Sequence, residues 1–251
     1  MPELDLPKEI NIAIKAALSS GKYLKKNKIE LNKTLLSNPR DVKLDADVAS
    51  ENLIKKIINE GSNYEILAEE SGESSEDLGS TFWVVDPLDG TANYNRDIPI
   101  CCISIGMVKN MKPLFGVIYD FNSDEIYCGD CINKVATLNN SPIQVSNVSD
   151  KKDGVLITGL PLNTDYSDTS LKNLISDMQS WKKTRMIGSA AMASCYIASG
   201  RAEVYKEKGI YLWDILAGAA IVEAAGGVAK IKNVRDNYQV DVIFSNLEIK
   251  G

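Results

Sequence analysis

The sequence predicts a mixed fold, α+β in its first half and α/β in its second. Three observations predict it. Between residues 100 and 129 the apolar runs ICCISIGMV, PLFGVIYD and EIYCG are joined by the short turns KNMK and FNSD, so those strands must pair antiparallel. From residue 154 onward, helical and strand-like runs alternate, which is the α/β rhythm. Between these parts lies the polar stretch NNSPIQVSNVSDKKDG, the natural boundary. It divides the chain into 1–140, with the antiparallel sheet, and 141–251.

The elements follow in order. Ile10, Ala13, Ile14, Ala17, Gly21 and Leu24 recur three and four apart, one face of a helix over 7–27. A second helix follows DAD, with Leu53, Ile54, Ile57 and Ile58 as its stripe and Gly61 at its end. YEILA (64–68) and FWVVD (82–86) read as buried strands. After the three-stranded meander, GVLITG (154–159) is a strand. Leu171, Leu174, Ile175, Met178 and Trp181 form a helix stripe. SAAMASCYIASG is a small-residue helix, AEVYK a strand, and WDILAGAAIVEAAGG a helix closed by Gly226-Gly227. GVAKI and DVIFS complete the set.

The composition is ordinary for a globular chain, 44% hydrophobic and 25% charged. No apolar run is long enough to span a bilayer, so no membrane association is expected. The opening MPELDLPKEI lacks the basic start and apolar stretch of a secretory signal. The net charge is −6 with no dense Lys/Arg block, so no nucleic-acid partner is expected. The five cysteines, an odd number, fit a reducing, cytoplasmic setting. Cys128 and Cys131 form a CxxC without the further ligands of a zinc site, and a structural role is expected of them. Histidine is absent altogether. That removes Ser-His-Asp and Cys-His triads, phosphohistidine chemistry and His-ligated zinc. Catalysis must rest on carboxylates, hydroxyls, Lys, Arg, Tyr or a metal.

The carboxylates sit at element ends. Asp47 and Asp214 open helices, Glu69-Glu70 ends a strand, and Asp86 and Asp89 close FWVVDPLD. Each alone is explained by capping, a turn or solvation. Gathered near one sheet end they would repel one another, and a divalent cation removes that repulsion. Hard oxygen donors suit Mg²⁺, with Mn²⁺ as a substitute. Pro87 stiffens a turn in which Asp86 and Asp89 converge and the Leu88 carbonyl points between them. Thr91 then starts a helix whose free amides can take a phosphate.

WVVDPLDGTANY resembles the signature of the inositol monophosphatase family, the Mg²⁺-dependent, lithium-sensitive phosphatases. RDVKLDADVASE, LAEESGE, GSAAMASCYIASGRAEVY and WDILAGAAIVEAAGG resemble four further motifs of that family, in the same order. The resemblance implies a layered αβαβα sandwich of the carbohydrate-phosphatase type, with the site between its halves. It implies that Glu69, Asp86 and the Leu88 carbonyl hold one Mg²⁺ and that Asp86, Asp89 and Asp214 hold a second. Glu70 and Asp47 would lie near a third, weaker ion or a covering loop. Gly90 and Thr91 would offer amides to the phosphate, and Thr91 and Glu69 would orient and deprotonate the attacking water. Gly188, Ser189, Ala190 and Glu207 would meet substrate hydroxyls, and the chain would form a homodimer. Two cations about 3.5–4 Å apart suit an in-line displacement at phosphorus.

The expected substrate is a small-molecule phosphate monoester of a polyol or sugar, inositol 1-phosphate first. Fructose 1,6-bisphosphate, histidinol phosphate and other sugar phosphates stay open. Lys43-Leu44 replaces the Val-Thr common in the family, and Ala92 stands where bisphosphate nucleotidases favour Lys. A haloacid-dehalogenase-type site needs its two aspartates two apart, whereas Asp86 and Asp89 are three apart. A non-catalytic, partner-binding role is the rival of another class.

Overall fold

A computed structural model describes residues 4–38, 41–160 and 164–249. Pro39 and Arg40, within the motif read as RDVKLDADVASE and the loop before it, lie outside the described residues.

The first half opens with α1 (Leu6–Lys26), α2 (Lys28–Leu31), a hairpin of β1 (Thr34–Asn38) and β2 (Asp41–Leu44), and α3 (Asp45–Gly61). Then come β3 (Ile66–Ala68), β4 (Gly72–Glu73), β5 (Thr81–Asp89), the one-turn α4 (Thr91–Asn95), β6 (Cys102–Lys109), β7 (Lys112–Asp120), β8 (Glu125–Asp130), β9 (Val135–Leu138) and β10 (Ser141–Pro142). The second half carries β11 (Val155–Thr158), α5 (Asp168–Gln179), β12 (Lys183–Arg185), α6 (Ala190–Ala198), β13 (Val204–Tyr211), α7 (Leu212–Ala224), β14 (Val228–Lys232) and β15 (Gln239–Ser245).

An eight-stranded sheet runs β10-β9-β8-β7-β6-β5-β3-β4, and a five-stranded sheet runs β12-β11-β13-β15-β14. The meander β6-β7-β8 is antiparallel, as its short turns require. Among the described residues, only β3 and β5 pair in parallel within the larger sheet. The division expected after residue 140 falls just before β10, the last strand of that sheet.

Five layers result. The apolar stripes of α1 and α3 pack on one face of the larger sheet, with Ala13, Ala17, Leu24, Ile54 and Ile58 at zero exposure. Nearly every residue of α6 and α7 is buried, because these helices lie between the two sheets and share one core with both. A loosely seated α5, none of whose residues is fully buried, covers the far face of the smaller sheet. The expected αβαβα sandwich is the one observed. The close approach of α7 to the sheet explains the small residues there. A Cβ at Gly116 would lie 2.1 Å from the Ala217 carbonyl oxygen.

Several boundaries differ from the sequence reading. The stripe read through Trp181 overshoots, because α5 stops at Gln179; Trp181 lies beyond it, buried with Leu156 and Val204. The strand read as AEVYK runs on to Tyr211, with an irregularity between Lys208 and Ile210. Trp83 is fully buried, whereas Trp213 is half-buried and stacks on Tyr211 at 4.7 Å. All five cysteines are free, and burial pushes the Cys128 thiol up to about 11 and Cys131 up to about 12, which fits inert packing groups. Arg201 pairs both guanidinium nitrogens with Glu125 at 2.8 and 2.9 Å, a structural role.

Candidate metal centre

The run WVVDPLD is not a strand followed by a turn. β5 continues through Asp89, and all nine of its residues are buried. In a regular strand, residues three apart face opposite sides. Here Asp86 pairs with Ser104 and Asp89 with Cys102. Their partners are two apart, so the extra residue of a bulge puts both carboxylates on one face. Pro87 is tolerated because it sits in that bulge. Its carbonyl accepts from Ser50 Oγ at 2.6 Å, and the Leu88 amide donates to Asp86 Oδ1 at 2.9 Å. The face that receives the aspartates is the one covered by α6 and α7.

Three of the expected ligands converge. Glu69 beyond β3, Asp86 in β5 and Asp214 in the first turn of α7 bring carboxylate oxygens within 4.8 Å of one another. Asp214 also accepts from the Tyr211 amide at 3.0 Å, which fixes its position at the helix start. No lysine or arginine balances these three charges among the described ion pairs. Burial, then the charge of Glu69, holds the Asp86 carboxyl well above the usual range. Burial, then the charge of Asp89, does the same for Asp214. Burial and the charge of Asp214 raise Glu69. Since Glu69 as a residue opens onto the cleft, crowding of charge is the stronger cause there. Such a trio of hard oxygen donors fits a divalent cation.

Asp89 lies beside this trio but turns toward α6. Its Oδ2 accepts from Ser189 Oγ at 2.5 Å and from the Ala191 amide at 2.7 Å, and its Oδ1 accepts from the Ala190 amide at 3.3 Å. It therefore caps a helix 100 residues away in the chain. Burial raises its carboxyl, and these hydrogen bonds offset part of the rise.

Thr91 and Gly90 stand at the start of α4. Gly90 adopts φ of 89°, and a Cβ there would lie 2.8 Å from the Ile100 carbonyl oxygen, so the position needs glycine twice over. The Thr91 hydroxyl lies 2.8 Å from Asp47 Oδ1 and 3.0 Å from the Leu88 carbonyl. The other Asp47 oxygen accepts from the Leu44 amide at 2.6 Å. Burial raises the Asp47 carboxyl to about 6. Asp47 thus serves Thr91 and the helix start. Glu70 carries the Lys43 ammonium, and its amide donates to Glu51 at 2.8 Å.

A cavity of about 560 Å³ opens above these groups, between the two sheets. Glu69, Asp89, Asp214, Gly188, Ser189, Ala190 and Glu207 are among the residues that line it. Asp86, Leu88 and Asp47 lie behind the wall, buried. Glu207 accepts from Tyr205 Oη at 2.9 Å, and burial raises it to about 7. A larger cleft, about 850 Å³, lies between α5 and the outer face of the smaller sheet; it touches Glu207 but none of the acidic trio.

Sequence reasoning missed Asn93. Its amide donates to the carbonyls of Ile100 at 2.7 Å and Ile187 at 2.8 Å, tying α4 to the segment before α6. No local signal marks it, because both partners are set by tertiary structure. Lys43 stood out in the sequence as a departure, but its partner Glu70 was not readable.

Residues 5–241 match the model of the inositol monophosphatase family. A protein of Xylella fastidiosa named Nus factor SuhB is 36% identical over 222 residues, 87% of this chain and 80% of its own length. Inositol monophosphatase 1 of Solanum lycopersicum is 32% identical over 232 residues, 87% of this chain and 82% of its own. The solved inositol monophosphatase of Anabaena (Nostoc) sp. PCC 7120 superposes with a TM-score of 0.81 at 32% identity, covering 97% of this chain and 92% of that one.

Proposed function

The chain belongs to the inositol monophosphatase family and is a phosphoric monoester hydrolase, and from that premise we propose that it hydrolyses the phosphate ester of a small polyol or sugar, inositol 1-phosphate first, with a pair of divalent ions. The observation that carries this reading is the convergence of Glu69, Asp86 and Asp214 within 4.8 Å. Mg²⁺ is the proposed ion and Mn²⁺ its substitute, since every donor is a hard oxygen. Glu69, Asp86, Asp214 and the Leu88 carbonyl would hold the ions, with Asp89 completing the set from its place beside the trio. Ions bound there would neutralise phosphate charge and make water more acidic.

The chain's own groups do the rest. The Thr91 hydroxyl can take a proton from the attacking water as it passes its own to Asp47, its acceptor at 2.8 Å, a relay that ends on the Asp47 carboxylate. Glu69, open to the cleft, orients the same water from the other side. The amides at Gly90 and Thr91 face the phosphate at a helix start. Glu207 would present an acceptor to substrate hydroxyls, with Gly188, Ser189 and Ala190 lining the same cavity. The test is turnover on a panel of inositol, sugar and histidinol phosphates at varied Mg²⁺ and Li⁺. Activity that needs Mg²⁺, favours inositol 1-phosphate, falls with Li⁺ and vanishes in Asp86→Asn supports the reading; activity untouched by that change contradicts it.

A second reading is favoured by one observation, the similarity to the Xylella protein named Nus factor SuhB. We infer a protein-binding role beside the hydrolytic one. It predicts a partner interaction that persists in Asp86→Asn, and an interaction lost with activity would count against it.

A further inference from the structure

The family resemblance implies a third, weaker ion near Glu70 and Asp47, and the residues present do not fit it. Both Asp47 oxygens are engaged, one by the Leu44 amide and one by Thr91. Glu70 already carries a cation, the ammonium of Lys43. Lys43 is the second-last residue of β2, and the hairpin places it across from Leu36. Its side chain is about one-third exposed, whereas that of Glu70 is mostly covered. The ammonium also feels the charges of Asp47 and Glu51, and with Glu70 foremost they keep it firmly protonated. Glu51 is buried and faces Lys55 at 3.9 Å, a longer contact on its far side. Four carboxylates, Glu69, Glu70, Asp47 and Glu51, therefore crowd one corner, and Lys43 reaches into it from the hairpin.

We propose that Lys43 is a fixed cation standing in the place of a further divalent ion, so that the site takes up its pair of ions and no more. This rests on the metal reading above and deepens it. Physically, one ammonium supplies part of the charge that a metal would supply, without dehydration and without exchange. It also latches the β1–β2 hairpin to the residue next to Glu69. Lys43 is thus a positioning residue that sets metal capacity. Removing its charge leaves Glu70 and its neighbours uncompensated, the condition under which hard oxygens recruit a cation.

The experiment counts Mn²⁺ bound per chain by equilibrium dialysis with electron paramagnetic resonance, on wild type, Lys43→Met, Lys43→Arg and Lys43→Met/Glu70→Gln. We expect Lys43→Met to bind one ion more than wild type, Lys43→Arg to match wild type, and the double variant to lose the added ion. A merely structural role for Lys43 would move stability but not the count. Equal counts in wild type and Lys43→Met overturn the proposal, as does a wild type that already binds more than the pair. Should Lys43→Met fail to fold, Lys43→Gln is counted in its place, with the same gain of one ion expected and an unchanged count overturning the proposal. Wild type that binds no ion overturns the metal reading itself, so the two failures are distinguishable.

Discussion

The Thr91 hydroxyl and the Asp47 carboxylate meet at 2.8 Å, although 44 residues separate them. One is the first residue of α4, the other lies in the first turn of α3. Their contact joins the two helix starts that flank the acidic trio. It also sets direction: Asp47 Oδ1 and the Leu88 carbonyl, at 3.0 Å, can only accept, so the Thr91 hydroxyl is the donor to this pair, with Asp47 the nearer, and its lone pairs stay open to receive.

Thr91→Ala should therefore lower kcat by about 10²–10⁴-fold, the usual range for a lost acid/base partner. Thr91→Ser should keep most of the rate, since it keeps the hydroxyl. Asp47→Asn should lower kcat while leaving KM close to wild type. Steady-state kinetics at saturating Mg²⁺ checks all three; a Thr91→Ala enzyme at wild-type speed would remove the relay.

The acidic trio should cost the metal-free protein stability. Its carboxyls are raised in the folded state above their unfolded values, so the folded state binds more protons. Stability then falls as pH rises. For Asp86 the loss sets in near its unfolded value of 3.8 and continues up to its raised folded value; Asp47, outside the trio, adds a loss that is complete above about 6. Melting curves in EDTA should show Tm decreasing across that window more steeply in wild type than in Asp86→Asn.

Asp86→Asn should itself melt higher than wild type without metal, by about 2–4 °C for each 1 kcal/mol of repulsion removed. With Mg²⁺ the order should reverse, because wild type gains binding energy that the variant lacks. Differential scanning calorimetry with and without Mg²⁺ reads this crossing; a variant stabilised by Mg²⁺ as much as wild type would place the ions elsewhere.

Gly90→Ala combines a left-handed backbone with a contact to the Ile100 carbonyl. We expect a stability loss of at least about 1–2 kcal/mol in urea unfolding, and a larger proportional loss of turnover, because the start of α4 must shift. Unchanged turnover would show that this helix start does not touch the phosphate.

Much of this was legible in the sequence and some was not, for physical reasons. Helices α1 and α3 were readable because one apolar face of each rests on the sheet. The meander was readable because its turns are too short for anything else. Asp86 and Asp89 were expected to come together through a turn, whereas a bulge sets them on one face and Asp89 turns to α6. The bulge was hidden, since a strand that carries Pro and two aspartates looks finished. β13 was cut short at Lys206, because Glu207, Lys208 and Gly209 carry no apolar signal, although cross-strand pairing with β15 continues the strand to Tyr211 around an irregularity at Gly209. The partners of Asp89 and Asn93 lie roughly a hundred residues away, and no local pattern announces a contact of that range.

The most direct test is anomalous diffraction from a crystal soaked in Mn²⁺. We expect strong peaks touching Glu69, Asp86 and Asp214, with the Asp89 carboxylate turned from Ser189 toward them. A crystal that shows no peak there at saturating Mn²⁺, with the three carboxylates still crowded together, would contradict the account.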